Sequence, residues 1–162
     1  MQAQDELFSW CHVSSDIKSL LMSAAANWDN TSESEKYINE ALAKAPENIE
    51  VLIAAYRFFF YKNKFRQALK MSEQVIEQIK KAENLPDDWE LLKPILMERA
   101  EEVQIRLYLN AYASTSFMLA RLGETEKAKI ISSQVKEIDT KNQFSSGTIF
   151  DIITRPPEED ED

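Results

Sequence analysis

The chain of 162 residues carries a net charge of −9, and 44% of its residues are hydrophobic. This length and balance predict one soluble globular domain that buries a core of its own. Two glycines and five prolines argue against an all-β fold and against a glycine-rich nucleotide loop. The acidic charge argues against nucleic acid and anionic membranes as partners, because both select basic surfaces.

The single cysteine, Cys11, excludes an internal disulfide and a cysteine cluster for zinc. The opening residues, MQAQDELF, lack the basic and apolar regions of a secretory signal. No uncharged stretch reaches the roughly 20 residues that a membrane-spanning helix needs. We therefore expect a cytoplasmic protein with no cofactor and no metal.

The first third of the chain predicts three helices. Residues 3–12 form a short one, and a second runs from Asp16 to Trp28, where the chain turns at Asp29 and Asn30. A third helix ends at Pro46, because proline cannot continue a helix. The apolar residues of the second helix recur at helical spacing and predict its inward face. They are Ile17, Leu20, Leu21, Ala24, Ala25 and Trp28.

Residues 49–82 organise the rest of the chain. Their pattern predicts an apolar helix, a break at residues 62–64 and a second, amphipathic helix. The small residues Ala55, Ala68 and Ser72 would let the two helices approach closely. A single hairpin of this kind cannot bury its own apolar face, so we expect neighbouring hairpins of the same type.

The C-terminal half predicts one long helix near 88–122, because nothing after Pro94 interrupts its pattern before Gly123. An amphipathic helix follows from Glu124 to about Thr140. A short capping helix over 146–154 is expected next. The acidic segment 158–162 has no apolar residue and is expected to be disordered. The long helix would carry one apolar stripe in its first half, namely Leu92, Leu96, Ala100, Val103 and Leu107.

Three helix pairs can be aligned on one another. The shared positions are Leu21, Ala25, Ser34, Ile38, Ala41 and Pro46; Leu52, Ala55, Tyr56, Phe59, Phe65, Ala68, Ser72 and Val75; and Tyr112, Thr115, Ser116, Leu119, Gly123, Ala128, Ser132 and Val135. This pattern resembles the tetratricopeptide repeat, whose period is about 34 residues. The family's tryptophan and glycine landmarks are mostly absent, and proline closes only the first copy.

The resemblance implies an all-α fold in which antiparallel hairpins stack as a right-handed superhelix. It implies a single domain over 1–157, with repeats at about 15–48, 49–82 and 109–142. Residues 83–108 would then be an insertion, part loop and part extension of the third repeat's first helix.

The resemblance also implies a concave face that binds a protein or peptide. The family's lining positions fall on Ile53, Arg57, Phe60, Tyr61, Asn110, Phe117 and Arg121. Aromatic rings with arginines suit such a surface. The alternative is that these aromatics are core, covered by the terminal helices. The first copy places Ser19 and Ser23 at the lining positions, which argues against the chaperone C-terminal carboxylates that some family members bind.

The run from Arg57 to Tyr61 contains four consecutive aromatic residues, which cover more than half of a helix's circumference. Both sides of the helix must therefore be covered, or one side is an exposed apolar patch. The protein's own helices could provide that cover. A partner, or a second copy in a homodimer, is the alternative.

Three functions are consistent with the sequence. The first is a non-catalytic interaction module, or adaptor, and the second is a small acidic secretion or assembly chaperone. The third is a helical metal protein or an enzyme, which the residues oppose. Cys11 and His12 are adjacent and do not share a helix face, and Glu98, Glu101 and Glu102 lack the Glu-x-x-His partner of helix-bundle metal sites. No catalytic or phosphate-binding motif is present.

Overall fold

The computed structural model describes residues 13–139, and every regular element in that range is an α-helix. The predicted all-α class is therefore confirmed. The helices predicted over 3–12 and 146–154, the Cys11-His12 pair and the segment 158–162 lie outside the described residues. The described helices are α1 (Ser15–Ala26), α2 (Thr31–Lys44), α3 (Ile49–Tyr61), α4 (Phe65–Ala82), α5 (Trp89–Glu98), α6 (Val103–Arg121) and α7 (Thr125–Ile138).

The helices group into two compact units. One ends at Gln74 and the other begins at Val75, so the boundary falls inside α4. The single domain over 1–157 and the superhelix stay predictions.

The core of the first unit forms where α1 packs against α2 and α2 packs against α3. Small side chains allow the first of these contacts. The Ser34 hydroxyl on α2 is fully buried and donates to the Ala24 carbonyl on α1, with 2.6 Å between the oxygens. A larger side chain at either position would push the two helices apart.

The second unit is built around α6, which packs along α7, while α5 also contacts α7. The indole Nε1 of Trp89 donates to Glu137 Oε2 at 3.1 Å, and Lys93 Nζ lies 3.4 Å from the same oxygen. The Tyr112 hydroxyl donates to Gln134 Oε1 at 2.7 Å. Polar contacts on α7 therefore orient both α5 and α6.

The turn after α3 and the turn after α6 share one geometry. A residue with positive φ follows each helix: Asn63 at 60° and Gly123 at 90°. In both turns the next amide donates to the carbonyl five positions back at 2.8 Å, which is the closing bond of a Schellman motif. The predicted break at 62–64 and the predicted C-terminal glycine of α6 are thus confirmed.

The second helix of each pair buries matching positions. Residues at the three aligned sites are all buried: Ser34, Ala68 and Ala128; Ile38, Ser72 and Ser132; and Ala41, Val75 and Val135. These sites are the ones that the sequence alignment defines, 34 positions apart in the first two copies and 60 in the last two, and the repeats themselves stay a prediction. Six of these nine residues are alanine or serine, which suits buried positions between closely packed helices.

The single long helix predicted near 88–122 is wrong, because α5 ends at Glu98 and α6 begins at Val103. Leu96 and Ile105 are both fully buried. At about 100° per residue, a straight helix would place these two side chains on opposite faces. Val103, which the sequence placed in the buried stripe, is 71% exposed. The break between α5 and α6 changes the direction of the chain, so that Leu96 and Ile105 can both be buried.

Arg99 holds the corner between α5 and α6. Its guanidinium donates to both carboxylate oxygens of Glu102, from Nε at 2.9 Å and from a terminal nitrogen at 2.7 Å, and it also pairs with Glu83. The hydrogen bonds to Glu102 and Glu83 raise the pKa of Arg99, and the same guanidinium lowers the pKa of Glu102. Both groups stay charged at neutral pH, so the corner remains paired.

Replacing Gly123 by alanine should lower the free energy of unfolding by about 1 kcal/mol, because an L-residue is strained in the left-handed region. The added Cβ would meet no atom within 4 Å, so backbone strain alone carries the effect. Urea unfolding followed by circular dichroism measures it. Asn63→Gly at the equivalent turn is the control, and it should leave stability unchanged or raise it. Wild-type stability in Gly123→Ala would contradict the positive φ.

Candidate protein-interaction surface

The aromatic run on α3 is divided between the core and the surface. Phe58 and Phe59 are buried, Phe60 is half-buried, and Tyr61 is 65% exposed. Successive side chains on a helix point about 100° apart, so neighbours in sequence meet different environments. The run is therefore neither wholly core nor wholly interface, and its exposed end lies at the C-terminus of α3.

Trp28 lies beside that exposed end. The sequence placed it on the inward stripe of a helix reaching residue 28, but α1 ends at Ala26 and Trp28 stands in the following turn, 39% exposed. Its ring meets Phe58 edge-on, with 5.7 Å between centroids, and Tyr61 at 6.4 Å. Sequence reasoning missed this surface residue. The available signal was that Trp28 and Lys62 are separated by 34 positions, one predicted repeat.

Lys62, in the turn after α3, fixes the orientation of Trp28. Its ammonium nitrogen lies 2.6 Å from the Trp28 carbonyl oxygen and 4.1 Å from the centroid of the indole ring. This is a hydrogen bond combined with a cation–π contact. We call the group formed by Trp28, Arg57, Tyr61 and Lys62 the aromatic-cationic surface.

Arg57 lies one turn before Tyr61 on α3 and is partly exposed. Within residues 13–139 no carboxylate forms an ion pair with it. Ile53, one turn earlier, is 5% exposed and belongs to the core. Phe60 is half-buried and packs its ring against Tyr61 and Phe65, at 5.6 and 6.1 Å between centroids. The structure thus brings Arg57, Phe60 and Tyr61 onto one face and leaves Ile53 beneath it.

The remaining predicted residues belong to the second unit. Asn110, Phe117 and Arg121 share one face of α6 by their spacing, and exposure increases from half-buried Asn110 and Phe117 to exposed Arg121. The guanidinium carbon of Arg121 lies 5.9 Å from the centroid of the Phe117 ring. A common concave face formed by all seven predicted residues stays a prediction.

Comparison with known proteins gives one informative relationship. No family model matches the chain, and no solved structure gives a significant match. A protein of Azotobacter chroococcum mcd 1, described as an uncharacterized 19.8 kDa protein in the nifW 5′ region, is 30% identical over 122 residues. The match covers 74% of this chain and 68% of that protein. The chain belongs to the family of this Azotobacter protein. Membership in the family brings no activity with it, and the tetratricopeptide resemblance stays a prediction.

The pKa shifts of Tyr108, Tyr112 and Asp16 have structural causes. Tyr108 and Tyr112 stack on α6 with 5.7 Å between ring centroids and 26° between planes. Burial raises the pKa of both hydroxyls, so both stay neutral near pH 7. Asp16 has a lowered pKa, chiefly because the Ser14 hydroxyl donates to it. These groups stabilise charge states and packing, and none is poised to exchange protons near neutral pH.

Residues 13–139 contain neither a metal-binding cluster nor a membrane-spanning helix. No group of three or more histidine, cysteine, aspartate or glutamate side chains in that range is placed to hold a metal ion. No helix in that part of the chain combines the length and the apolar character needed to cross a membrane.

Proposed function

We propose that this protein is a non-catalytic interaction module that binds a partner protein or peptide through the aromatic-cationic surface. The observation that carries the proposal is the exposure of the Trp28 and Tyr61 rings at the surface. Both rings are exposed, yet Trp28 is held in place by Phe58 and Lys62. Tryptophan, tyrosine and arginine dominate the energetics of protein interfaces. Rings that are already ordered lose little conformational entropy on binding.

Arg57 adds a directional contact to this apolar area. A guanidinium can form two parallel hydrogen bonds with a carboxylate. Because Arg57 has no ion-pair partner in the described chain, that capacity is available to another molecule. We assign the protein no enzymatic activity. The single cysteine suits a reducing compartment, and we place the protein in the cytoplasm.

A small acidic chaperone is the second candidate. Exposed methionines favour it, since Met22 and Met97 are about half exposed. Methionine is flexible and polarisable, and surfaces that accept varied clients use it for that reason. The two functions differ in stoichiometry and specificity. A module holds one folded partner at a fixed ratio, whereas a chaperone suppresses the aggregation of several unfolded ones.

The name of the Azotobacter relative suggests the first partner to test. That protein is encoded in the 5′ region of nifW. The nifW product of Azotobacter chroococcum can be mixed with the relative and, separately, with this chain. Chemical cross-linking of the tagged protein in its own cell extract, followed by mass spectrometry, extends the search to other partners.

The Arg57→Glu, Tyr61→Ala double variant should weaken binding of the identified partner by about tenfold or more, because it removes one arginine fork and one exposed ring. Isothermal titration calorimetry with purified components measures the dissociation constant. Arg106→Glu, at an exposed position on α6, is the matched control and should bind like the wild type.

Two results would count against the proposal. One is a wild-type dissociation constant for the double variant, provided that its circular dichroism shows an intact fold. The other is a partner bound equally by the double variant and by Arg106→Glu. Suppression of aggregation for unrelated unfolded proteins would favour the chaperone instead.

A further inference from the structure

We infer that the aromatic-cationic surface takes an acidic peptide segment carrying an apolar anchor residue, an inference that rests on the proposed function and names the chemistry of its partner. The charge distribution along the chain is the first observation. Residues 51–72 contain no aspartate or glutamate, although the whole chain carries −9. The five cations of this segment are Arg57, Lys62, Lys64, Arg66 and Lys70.

Most of these cations take no part in ion pairs that hold the described fold. Within residues 13–139 only Lys64 is paired, with Glu35 on α2. Arg66 and Lys70 are exposed on α4 and have no carboxylate partner in that range. By contrast, Arg99 in the second unit is engaged by two carboxylates. Among the described residues, Arg57, Arg66 and Lys70 therefore have no carboxylate partner that an acidic ligand would have to displace.

The positions of the side chains favour alternating acidic and apolar residues in the ligand. Arg57 and Lys62 lie on either side of Tyr61 along the chain, and Lys62 also covers Trp28. A carboxylate approaching the indole would meet the Lys62 ammonium, which lies 4.1 Å from the ring centroid. An apolar side chain between two carboxylates would meet the rings of Trp28 and Tyr61, which contact each other at 6.4 Å.

Net charge decides between an acidic peptide and single-stranded nucleic acid. Nucleic acid can also use cations beside aromatic rings. Its long, uniformly charged backbone would be repelled by a protein whose total charge is −9. A short acidic segment interacts mainly with its local surroundings, because screening limits the repulsion to about 8 Å at physiological ionic strength. The peptide is therefore the favoured ligand.

Fluorescence anisotropy with the full chain tests this inference. The probe is a short labelled peptide of alternating glutamate and leucine. The comparison ligands are the same peptide with lysine for glutamate, and a labelled oligodeoxythymidylate. The acidic peptide should bind, and its affinity should fall as salt is raised, while the two comparison ligands should not bind.

Charge reversal then locates the site. Arg57→Glu and Lys62→Glu should each weaken the acidic peptide by about tenfold or more, because each replaces an attraction with a repulsion. Lys127→Glu, an exposed lysine on α7, makes the same change of charge and should have little effect. If Lys127→Glu weakens binding as much as Arg57→Glu does, the effect is one of net charge and the inference is overturned.

The inference is also overturned if the lysine peptide or the oligonucleotide binds as tightly as the acidic peptide. Competition against the identified protein partner separates this inference from the proposed function. If the partner needs Arg57 and Tyr61 but is not displaced by the acidic peptide, the inference of an acidic ligand is wrong. The proposal of an interaction module is then unaffected. Displacement of that partner by the acidic peptide alone supports both.

Discussion

Leu109→Ala should lower the free energy of unfolding by about 2–5 kcal/mol, the range found when a leucine is truncated in a packed core. Leu109 is fully buried on α6, the helix that packs along α7. Truncation removes three carbon atoms, Cγ and the two δ methyl groups, from contact with their neighbours and leaves a cavity there. The cost depends on how far the surrounding side chains can move into that cavity.

Urea unfolding followed by circular dichroism measures this loss, and Leu91→Ala is the matched control. Leu91 is exposed on α5, so the same substitution there should change stability by no more than about 0.5 kcal/mol. A loss in Leu109→Ala no larger than in Leu91→Ala would contradict the burial of Leu109. It would also contradict the packing of α6 that the second unit depends on.

Ala41→Leu should cost about 1–3 kcal/mol for the opposite reason, because it adds volume where none is free. Ala41 is fully buried on α2, and α2 packs against both α1 and α3. A leucine there would force these helices apart or adopt a strained rotamer. The first unit should therefore become less stable, and its helices should no longer adopt a single well-ordered packing arrangement.

Ala43→Leu is the control for this second prediction. Ala43 is exposed on the same helix, and leucine has a helix propensity close to that of alanine. Its stability should stay within about 0.5 kcal/mol of the wild type. Thermal and urea unfolding of the two variants give the comparison. Equal stability of Ala41→Leu and Ala43→Leu would show that the space beside Ala41 is not filled.

The candidate surface was only partly predictable from the residues. Four consecutive aromatic residues cover more than half of a helix's circumference, so the run from Phe58 to Tyr61 predicts either cover on both sides or an exposed apolar patch. The sequence does not say which rings are exposed. The structure covers Phe58 and Phe59 and exposes Tyr61. Trp28 was placed on the wrong side because its helix ends two residues earlier than the apolar pattern suggested. The contact between Trp28 and Lys62 joins two turns and has no local sequence signal.

The helical periods, the break at residues 62–64 and the turn at Gly123 follow from the order of residues alone. Period, proline position and the need for a left-handed residue are local properties, and neighbours in sequence are enough to set them. The break at 99–102 and the exposure of Tyr61 and Trp28 come from packing between helices. No glycine or proline marks that break. Burial depends on which distant helix arrives at a face, and a straight helix could not have buried Leu96 and Ile105 together.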